Sequence, residues 1–251
     1  MKTLIKNGKC AGFSIIELSI VLSIIALIAV SALAIGAAKL DETRTRITKE
    51  RMEYIMDTLD LFVDEFNYIP CPSDISLAPD DNNFGDGRTS PPTGTGYCIA
   101  ENGNDGAVTN VIYGGLPVKQ LAISYDMSRD GWGRRFTYVV DEDVTWQGGT
   151  SPGDTGFQDP TVDGNITITN GAGGITQASD AVVVLISHGA DGHGAWPGKG
   201  GTIINKGCTT DADEDDNTSL AGCTAFDSNF VQKFRTGTFD DFVEYRVKWH
   251  F

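Results

Sequence analysis

A run of apolar and small residues at positions 13–38 contains one charged side chain, that of Glu17. About 20 apolar residues cross a bilayer as a helix, so this run is long enough to span a membrane. No proline occurs before Pro70, which would end any helix that continues past the run. Beyond the run, apolar residues recur at the spacing of one helix face, at Ile55, Leu59, Phe62 and Phe66. The pattern predicts one long N-terminal helix, membrane-spanning in its first half and packed against a globular domain in its second.

Strand patterns dominate the rest of the chain. Apolar residues alternate with charged ones over 243–250, which predicts a half-buried C-terminal strand. A similar alternation at 134–140 predicts a second strand. The short segment 165–169 is rich in β-branched side chains, which favour a strand. Residues 181–187 form an apolar run typical of a strand covered on both faces. Residues 73–110 are rich in Gly, Pro, Asp and Asn and predict a long loop. We therefore expect an α+β fold class, with the long helix packed on a small antiparallel sheet.

The position of Glu17 is the most informative feature for function. A carboxylate inside a membrane-length apolar run costs roughly 2.5–3.5 kcal/mol, so its presence indicates a functional role. Gly12 comes just before the run, and Glu17 is the fifth residue counted from Phe13. The segment before Gly12 is short and basic, with Lys2, Lys6 and Lys9. This arrangement resembles the N-terminal signal of type IV pilins and of type II secretion pseudopilins.

The resemblance implies how the protein is processed and where it goes. A prepilin peptidase would cleave after Gly12 and methylate the new N-terminus of Phe13. Residues 1–12 would be the leader, 13–38 the transmembrane and assembly helix, and 39–251 a periplasmic pilin-like head. The chain would span the bacterial inner membrane once and then join a helical filament, in which Glu17 pairs with the amine of Phe13 of a neighbour. A plain membrane anchor is the alternative, but it does not explain the register of Gly12, Phe13 and Glu17.

Charge and cysteine content agree with an exported domain. The net charge of −15 becomes −18 once the three leader lysines are removed, which disfavours nucleic acid as a partner. Cys10 lies in the leader, so four cysteines remain and allow three pairings. We favour the local bonds Cys71–Cys98 and Cys208–Cys223 because disulfides are typical of exported proteins, with four buried free thiols as the alternative.

Two short motifs in the second half of the chain extend the resemblance. The turn at 130–133, Asp-Gly-Trp-Gly, resembles the Asp-x-Trp-Gly turn of major pseudopilins, and 187–192, Ser-His-Gly-Ala-Asp-Gly, resembles the segment that leads into their calcium loop. The later acidic stretch 211–217 has alternating carboxylates, which can present oxygens to one calcium ion, although it is not an EF-hand loop. The predicted calcium ligands are Asp191, Asp211, Asp213 and Asp215. A solvated acidic loop is the alternative.

The sequence favours a structural protein over an enzyme. It contains no nucleotide-binding or nucleophile-elbow fingerprint. His188 and His193 fit no named zinc motif, and catalytic zinc needs three protein ligands. The expected partners are homologous pilin or pseudopilin subunits, a prepilin peptidase and an inner-membrane assembly platform. A membrane-anchored periplasmic binding module that uses the pilin export signal without polymerising remains an alternative, as does an anchored hydrolase.

Overall fold

The structure is a computed structural model that describes residues 14–87, 98, 111–145, 157, 162–171, 173–208, 211–218, 223 and 227–251, without the side chains of 31–35 and 37. The chain divides into two compact units, Met1–Thr43 and Arg44–Phe251. Most of the predicted loop at 73–110, and much of the segment 141–180, lie outside the described residues. The fold class is α+β, as predicted.

The N-terminal helix α1 runs over 52 residues, Ile15–Phe66, and confirms the prediction of one long helix. Among the described residues, no helix meets the length and apolarity required to cross a membrane. The transmembrane segment predicted over 13–38 is therefore not confirmed.

Within the second unit, one face of α1 is buried in the core. Met52, Ile55, Met56, Leu59 and Val63 are almost fully inaccessible to solvent. Their recurrence every three or four residues places them on one side of the helix. The predicted face extended one turn too far, to Phe66, whose side chain is 53% exposed.

The helix ends where the backbone leaves the helical region. Asn67 adopts a φ of 60°, the left-handed conformation that commonly follows the last helical residue, and asparagine tolerates it better than most residues. In the last turn of the helix, the Phe66 ring packs on the ring of Phe62, and the two ring centroids are 4.5 Å apart. Pro70 lies three residues beyond Asn67, as predicted for the end of the helix.

Eight strands and one short helix follow among the described residues. The strands are β1 Val111–Gly114, β2 Arg134–Arg135, β3 Thr137–Asp141, β4 Ile166–Thr169, β5 Thr176–Ser187, β6 Trp196–Pro197, β7 Asn229–Val231 and β8 Phe242–Val247, and the helix is α2 Ala212–Asp215. The same part of the chain contains three 3-10 turns, Tyr125–Ser128, Glu142–Thr145 and Lys248–His250.

The long strand β5 organises the main sheet. Its first half pairs with β4, and its second half lies between β3 and β8, in antiparallel register throughout. β1 extends the sheet beyond β3. β7 pairs with β4 in parallel register, so the sheet is mostly, rather than wholly, antiparallel.

Burial on both sides explains why β5 reads as a continuous apolar run. Val183 and Leu185 belong to the cluster that contains the buried face of α1, whereas Val184 and Ile186 belong to a second cluster on the other side of the sheet with Phe230. Alternate side chains of a strand point to opposite faces, so both faces of the sheet carry an apolar layer.

Two predicted strands have different limits in the structure. The segment 134–140 divides between β2, which pairs with β6 in a separate two-stranded sheet, and β3, which joins the main sheet. The C-terminal strand ends at Val247 rather than at 250, because the chain then turns into the 3-10 segment Lys248–His250. Trp249 is consequently 71% exposed.

Candidate functional site

Glu17 lies in the first turn of α1. Its neighbours Ile15, Ile16 and Ile20 are all more than half exposed, so the carboxylate sits within an apolar surface that the described part of the chain leaves uncovered. A carboxylate near a helix N-terminus interacts favourably with the unpaired backbone N–H groups there. The cleavage and methylation positions Gly12 and Phe13 lie outside the described residues.

The two head motifs meet at the buried carboxylate of Asp130. Its Oδ1 accepts hydrogen bonds from the backbone N–H groups of Trp132 and Arg134, both at 2.9 Å. Its Oδ2 accepts a hydrogen bond from Ser187 Oγ at 2.9 Å. Burial raises the pKa of Asp130, while these three donors act in the opposite direction. Asp130 thus joins the turn at 130–133 to the end of β5.

The turn at 130–133 also approaches α1 closely. The N–H of Gly131 donates to Thr48 Oγ1 at 2.9 Å. A Cβ atom on Gly131 would stand 2.1 Å from the carbonyl oxygen of Arg44, which no side chain can tolerate. Glycine is therefore required for this turn to pack against the helix.

Arg134 also binds the second motif, the segment 187–192, through its guanidinium. Its guanidinium donates to the carbonyl oxygens of Gly189 at 2.6 Å, Ala190 at 3.0 Å and Asp191 at 3.2 Å. A Cβ atom on Gly192 would lie 2.1 Å from Arg134 Cζ. Residues 189–192 therefore pack closely around the Arg134 guanidinium, and the absence of a side chain at Gly192 makes room for it.

A group of three carboxylates forms beside this loop. One carboxylate oxygen from each of Asp191, Glu214 and Asp240 lies within 4.8 Å of the others. Glu214 is buried, and burial together with the charges of Asp191 and Asp240 raises its pKa to about 7. Asp240 Oδ2 accepts from the N–H groups of Ala190 at 2.7 Å and Asp191 at 2.9 Å. Like charges at this separation repel unless a proton or a cation neutralises them.

A second buried acid lies close to this group. Asp241 is 3% exposed, and its Oδ1 has no hydrogen-bond partner among the described residues. Burial is the main cause of its strongly raised pKa, and the charges of Glu214, Asp240 and Asp191 act in the same direction. Oxygen-rich groups of this kind suit hard cations such as calcium.

The other predicted calcium ligands have different partners. Lys233 Nζ lies 3.1 Å from Asp211 Oδ1 and 2.5 Å from Asp213 Oδ2. Asp215 Oδ1 lies 3.1 Å from His193 Nε2 in the interior. The structure therefore groups Asp191 with Glu214 and Asp240, and it places Asp211 and Asp213 against a lysine.

A family model for the prokaryotic N-terminal methylation motif matches residues 7–33. The chain carries a prepilin-type signal. This match confirms the resemblance to type IV pilins and pseudopilins that Gly12, Phe13 and Glu17 indicate. No curated protein and no solved structure matches the chain.

The four cysteines outside the predicted leader pair as predicted. Cys71 bonds to Cys98 with the Cα atoms 5.5 Å apart, and Cys208 bonds to Cys223 with the Cα atoms 5.0 Å apart. The alternative of four free thiols is therefore wrong. Cys223 also lies close to His193 and Asp215, but the disulfide withholds its sulfur from a metal ion.

Sequence inspection did not single out one arrangement in the second unit. Thr137 Oγ1 lies 3.0 Å from His188 Nε2, and His188 Nδ1 lies 3.9 Å from Asp241 Oδ1. All three residues are at least 95% buried, and burial is the main cause that lowers the pKa of His188 to about 3. Ser187, adjacent to His188, hydrogen-bonds to Asp130 instead. The burial of this neutral histidine suits a structural role better than substrate contact.

Proposed function

We propose that this protein is a structural subunit of a type IV pilus-like filament or a type II secretion pseudopilus. The observation that carries the proposal is the methylation motif at 7–33, with Glu17 five residues into the mature chain. A pilin-type motif favours a structural role over an enzymatic one. Prepilin peptidase would remove 1–12 and methylate Phe13, leaving the head, 39–251, in the periplasm.

The apolar surface of α1 is suited to two successive environments, first a membrane and then the interior of a filament. Before assembly, residues 13–38 would lie in the inner membrane, where an apolar helix surface is stable. After transfer by the assembly platform, the same surface would be covered by the helices of neighbouring subunits. Glu17 would then pair with the methylated amine of Phe13. Such a pair contributes little net stability within an apolar bundle, but it fixes the register of neighbouring helices.

Filament incorporation tests this function against the anchored binding module. In cells that express the full assembly machinery, a subunit should appear in the fraction sheared from the cell surface or in purified pseudopili. A binding module should remain wholly in the inner-membrane fraction. A processed protein that is confined to the membrane would therefore favour the binding module and contradict the filament proposal.

We also propose that the head binds one calcium ion at Asp191, Glu214 and Asp240, with the stretch 211–215 close to it. The proposal is supported by three carboxylates that converge within 4.8 Å and by the nearby buried Oδ1 of Asp241, which accepts no hydrogen bond from the described residues. Calcium takes six to eight oxygen ligands, so water and backbone oxygens would complete the coordination. Burial is the main cause of the raised pKa of Glu214, and the ion would relieve the repulsion from Asp191 and Asp240 that adds to it.

A further inference from the structure

The outward face of the second half of α1 is acidic, and the described part of the head leaves it exposed. Residues 52–66 contain no lysine or arginine. Their exposed carboxylates form no ion pair among the described residues, and two exposed apolar side chains, Tyr54 and Leu61, lie between them. We call these six residues the acidic stripe: Glu53, Tyr54, Asp57, Leu61, Asp64 and Glu65.

The stripe lies opposite the buried face of the helix. Asp57 follows the buried Met56 by one position, and Asp64 follows the buried Val63 in the same way. At about 100° per residue, the stripe positions centre roughly half a turn from the core positions Ile55, Leu59 and Phe62. A second molecule can therefore reach the stripe without disturbing the core.

A groove between residues 45–52 of α1 and the segment 232–244 has complementary properties. It has a volume of about 420 Å³, and its lining includes Lys49, Phe234, Arg235, Phe242 and Glu244. We call it the basic groove because three cations, Lys49 and Arg235 among them, and two carboxylates line it. Phe234 is 94% exposed, the most exposed large apolar side chain of the described residues.

The cations of the groove are held in place by aromatic rings. The Arg235 guanidinium stacks 5.1 Å from the ring centroid of Phe242, and it also donates to Thr45 Oγ1 at 3.1 Å. Lys49 Nζ lies 5.8 Å from the same Phe242 ring. Both charges are thus oriented before any partner arrives, which lowers the entropy cost of binding.

We propose that the acidic stripe of one subunit docks into the basic groove of a second copy of this chain. Charge decides the pairing. Two stripes placed face to face would bring together eight carboxylates, and like charges across an interface disfavour association. The groove supplies opposite charge at Lys49 and Arg235, and Phe234 can pack between Tyr54 and Leu61.

This pairing joins two different surfaces, so it does not close into a symmetric dimer. Repeating a heterologous contact generates a ring or an open helical polymer. The inference rests on the proposed filament function and specifies which surfaces of the heads meet in it. It is independent of the contact between Glu17 and Phe13, which involves the other unit of the chain.

Cysteine cross-linking in assembled filaments tests the contact. The full-length variant Leu61→Cys/Phe234→Cys should yield disulfide-linked dimers and ladders in the sheared fraction under mild oxidation. The matched control is Leu61→Cys/Ile175→Cys, because Ile175 is also an exposed apolar side chain, at 74%. We expect several-fold more cross-linked product from the first pair than from the control.

Charge reversal provides a second readout. Asp57→Lys should reduce the sheared fraction by about tenfold, because it places a lysine against Lys49 and Arg235. Asp80→Lys, at an exposed position outside the stripe, should have little effect. Adding Lys49→Asp to Asp57→Lys should restore assembly, since it returns opposite charges to the contact.

The possible outcomes distinguish failure of the proposed filament function from failure of the proposed contact between heads. Absence of wild-type protein from every filament preparation overturns both the filament function and this contact. Normal wild-type filaments in which the Phe234 pair cross-links no more than the Ile175 pair overturn the contact alone. Equal assembly of Asp57→Lys and Asp80→Lys, with no rescue by Lys49→Asp, also overturns it.

Discussion

Asp130 Oδ2 accepts a hydrogen bond from Ser187 Oγ at 2.9 Å, and this contact joins two motifs that lie 57 residues apart in the sequence. The other oxygen of Asp130 binds the backbone of its own turn. Directly after this turn, at the start of β2, Arg134 donates to the carbonyls of 189–191. The Asp-Gly-Trp-Gly turn and the Ser-His-Gly-Ala-Asp-Gly segment are therefore one structural unit, which positions Asp191 for the acidic group.

We expect Asp130→Ala to destabilise the head by about 2–4 kcal/mol, because it leaves three donors in the interior without their acceptor. Thermal unfolding of the detergent-extracted protein measures the change. The control is Asp80→Ala, at an exposed position, which should change stability by less than about 0.5 kcal/mol. Equal melting temperatures for the two variants would contradict the structural role of Asp130.

Calcium should raise the melting temperature of the protein, because a cation that binds only the folded form adds about 2.7 kcal/mol at a hundredfold excess over its Kd. Magnesium should substitute poorly, since it demands a smaller octahedral site. Asp240→Asn should reduce the calcium-dependent shift. The control Asp227→Asn, which removes a half-buried carboxylate outside the group, should retain the shift. The same melting temperature in calcium and in chelator would show that the acidic group is not a calcium site.

Stability should depend on pH through Asp141. Burial raises the pKa of this carboxyl from 3.8 to about 6, so the folded protein keeps the proton to a higher pH than the unfolded chain does. The corresponding stabilisation is present below pH 3.8 and is lost as the pH rises through about 6. Asp141→Asn cannot ionise, and it should remove up to about 3 kcal/mol of this pH dependence.

Urea unfolding at a series of pH values measures the effect of Asp141→Asn. Asp163→Asn is the matched control, because Asp163 is an exposed carboxyl close to Asn165, which donates to Asp141. An Asp141→Asn variant with the wild-type pH dependence would show that Asp141 is not the titrating group.

Replacing both Cys208 and Cys223 with alanine should destabilise the protein by about 3 kcal/mol, as expected when a bond that closes a 15-residue loop is lost. Melting with and without reductant measures the loss. The reductant should lower the melting temperature of the double variant less than that of the wild type, because one disulfide is already absent. Peptide mapping without reduction checks the pairing itself, and a Cys71–Cys208 peptide would contradict it.

The sequence predicted features that depend on local pattern. The apolar spacing in 55–62 identified the buried face of α1, and the continuous apolar run at 181–187 identified a strand covered on both faces. The cysteine pairing was also predicted, because both bonds are local. Each of these predictions depends on residues that lie close together in the sequence.

Features that depend on distant partners were not predicted. The split of 134–140 depends on the pairing of β2 with β6, some 60 residues later, which no alternation reveals. The acidic group takes Asp191 and Asp240 from two loops and Glu214 from the short helix α2, so their spacing carries no signal. Asp240 and Asp241 form an acidic pair just before β8, and that pair was the available hint.

Glu17→Ala should leave membrane insertion and cleavage intact but lower the sheared filament fraction by at least about tenfold, because the amine of Phe13 in a neighbouring subunit would lose its counter-charge. Glu17→Gln should behave similarly, since it also removes the charge. Ser23→Ala, in the same helix, should assemble normally. Wild-type levels of Glu17→Ala in the sheared fraction would rule out this pairing.

The N-terminus of the protein recovered from filaments tests the central claim most directly. Mass spectrometry of the sheared fraction should find a terminal peptide that begins at Phe13 and carries one added methyl group, and it should find no peptide that contains residues 1–12. This result would establish processing and assembly in one measurement. A chain that retains its first 12 residues in cells with an active prepilin peptidase, or a processed chain found only in the membrane, would contradict the account.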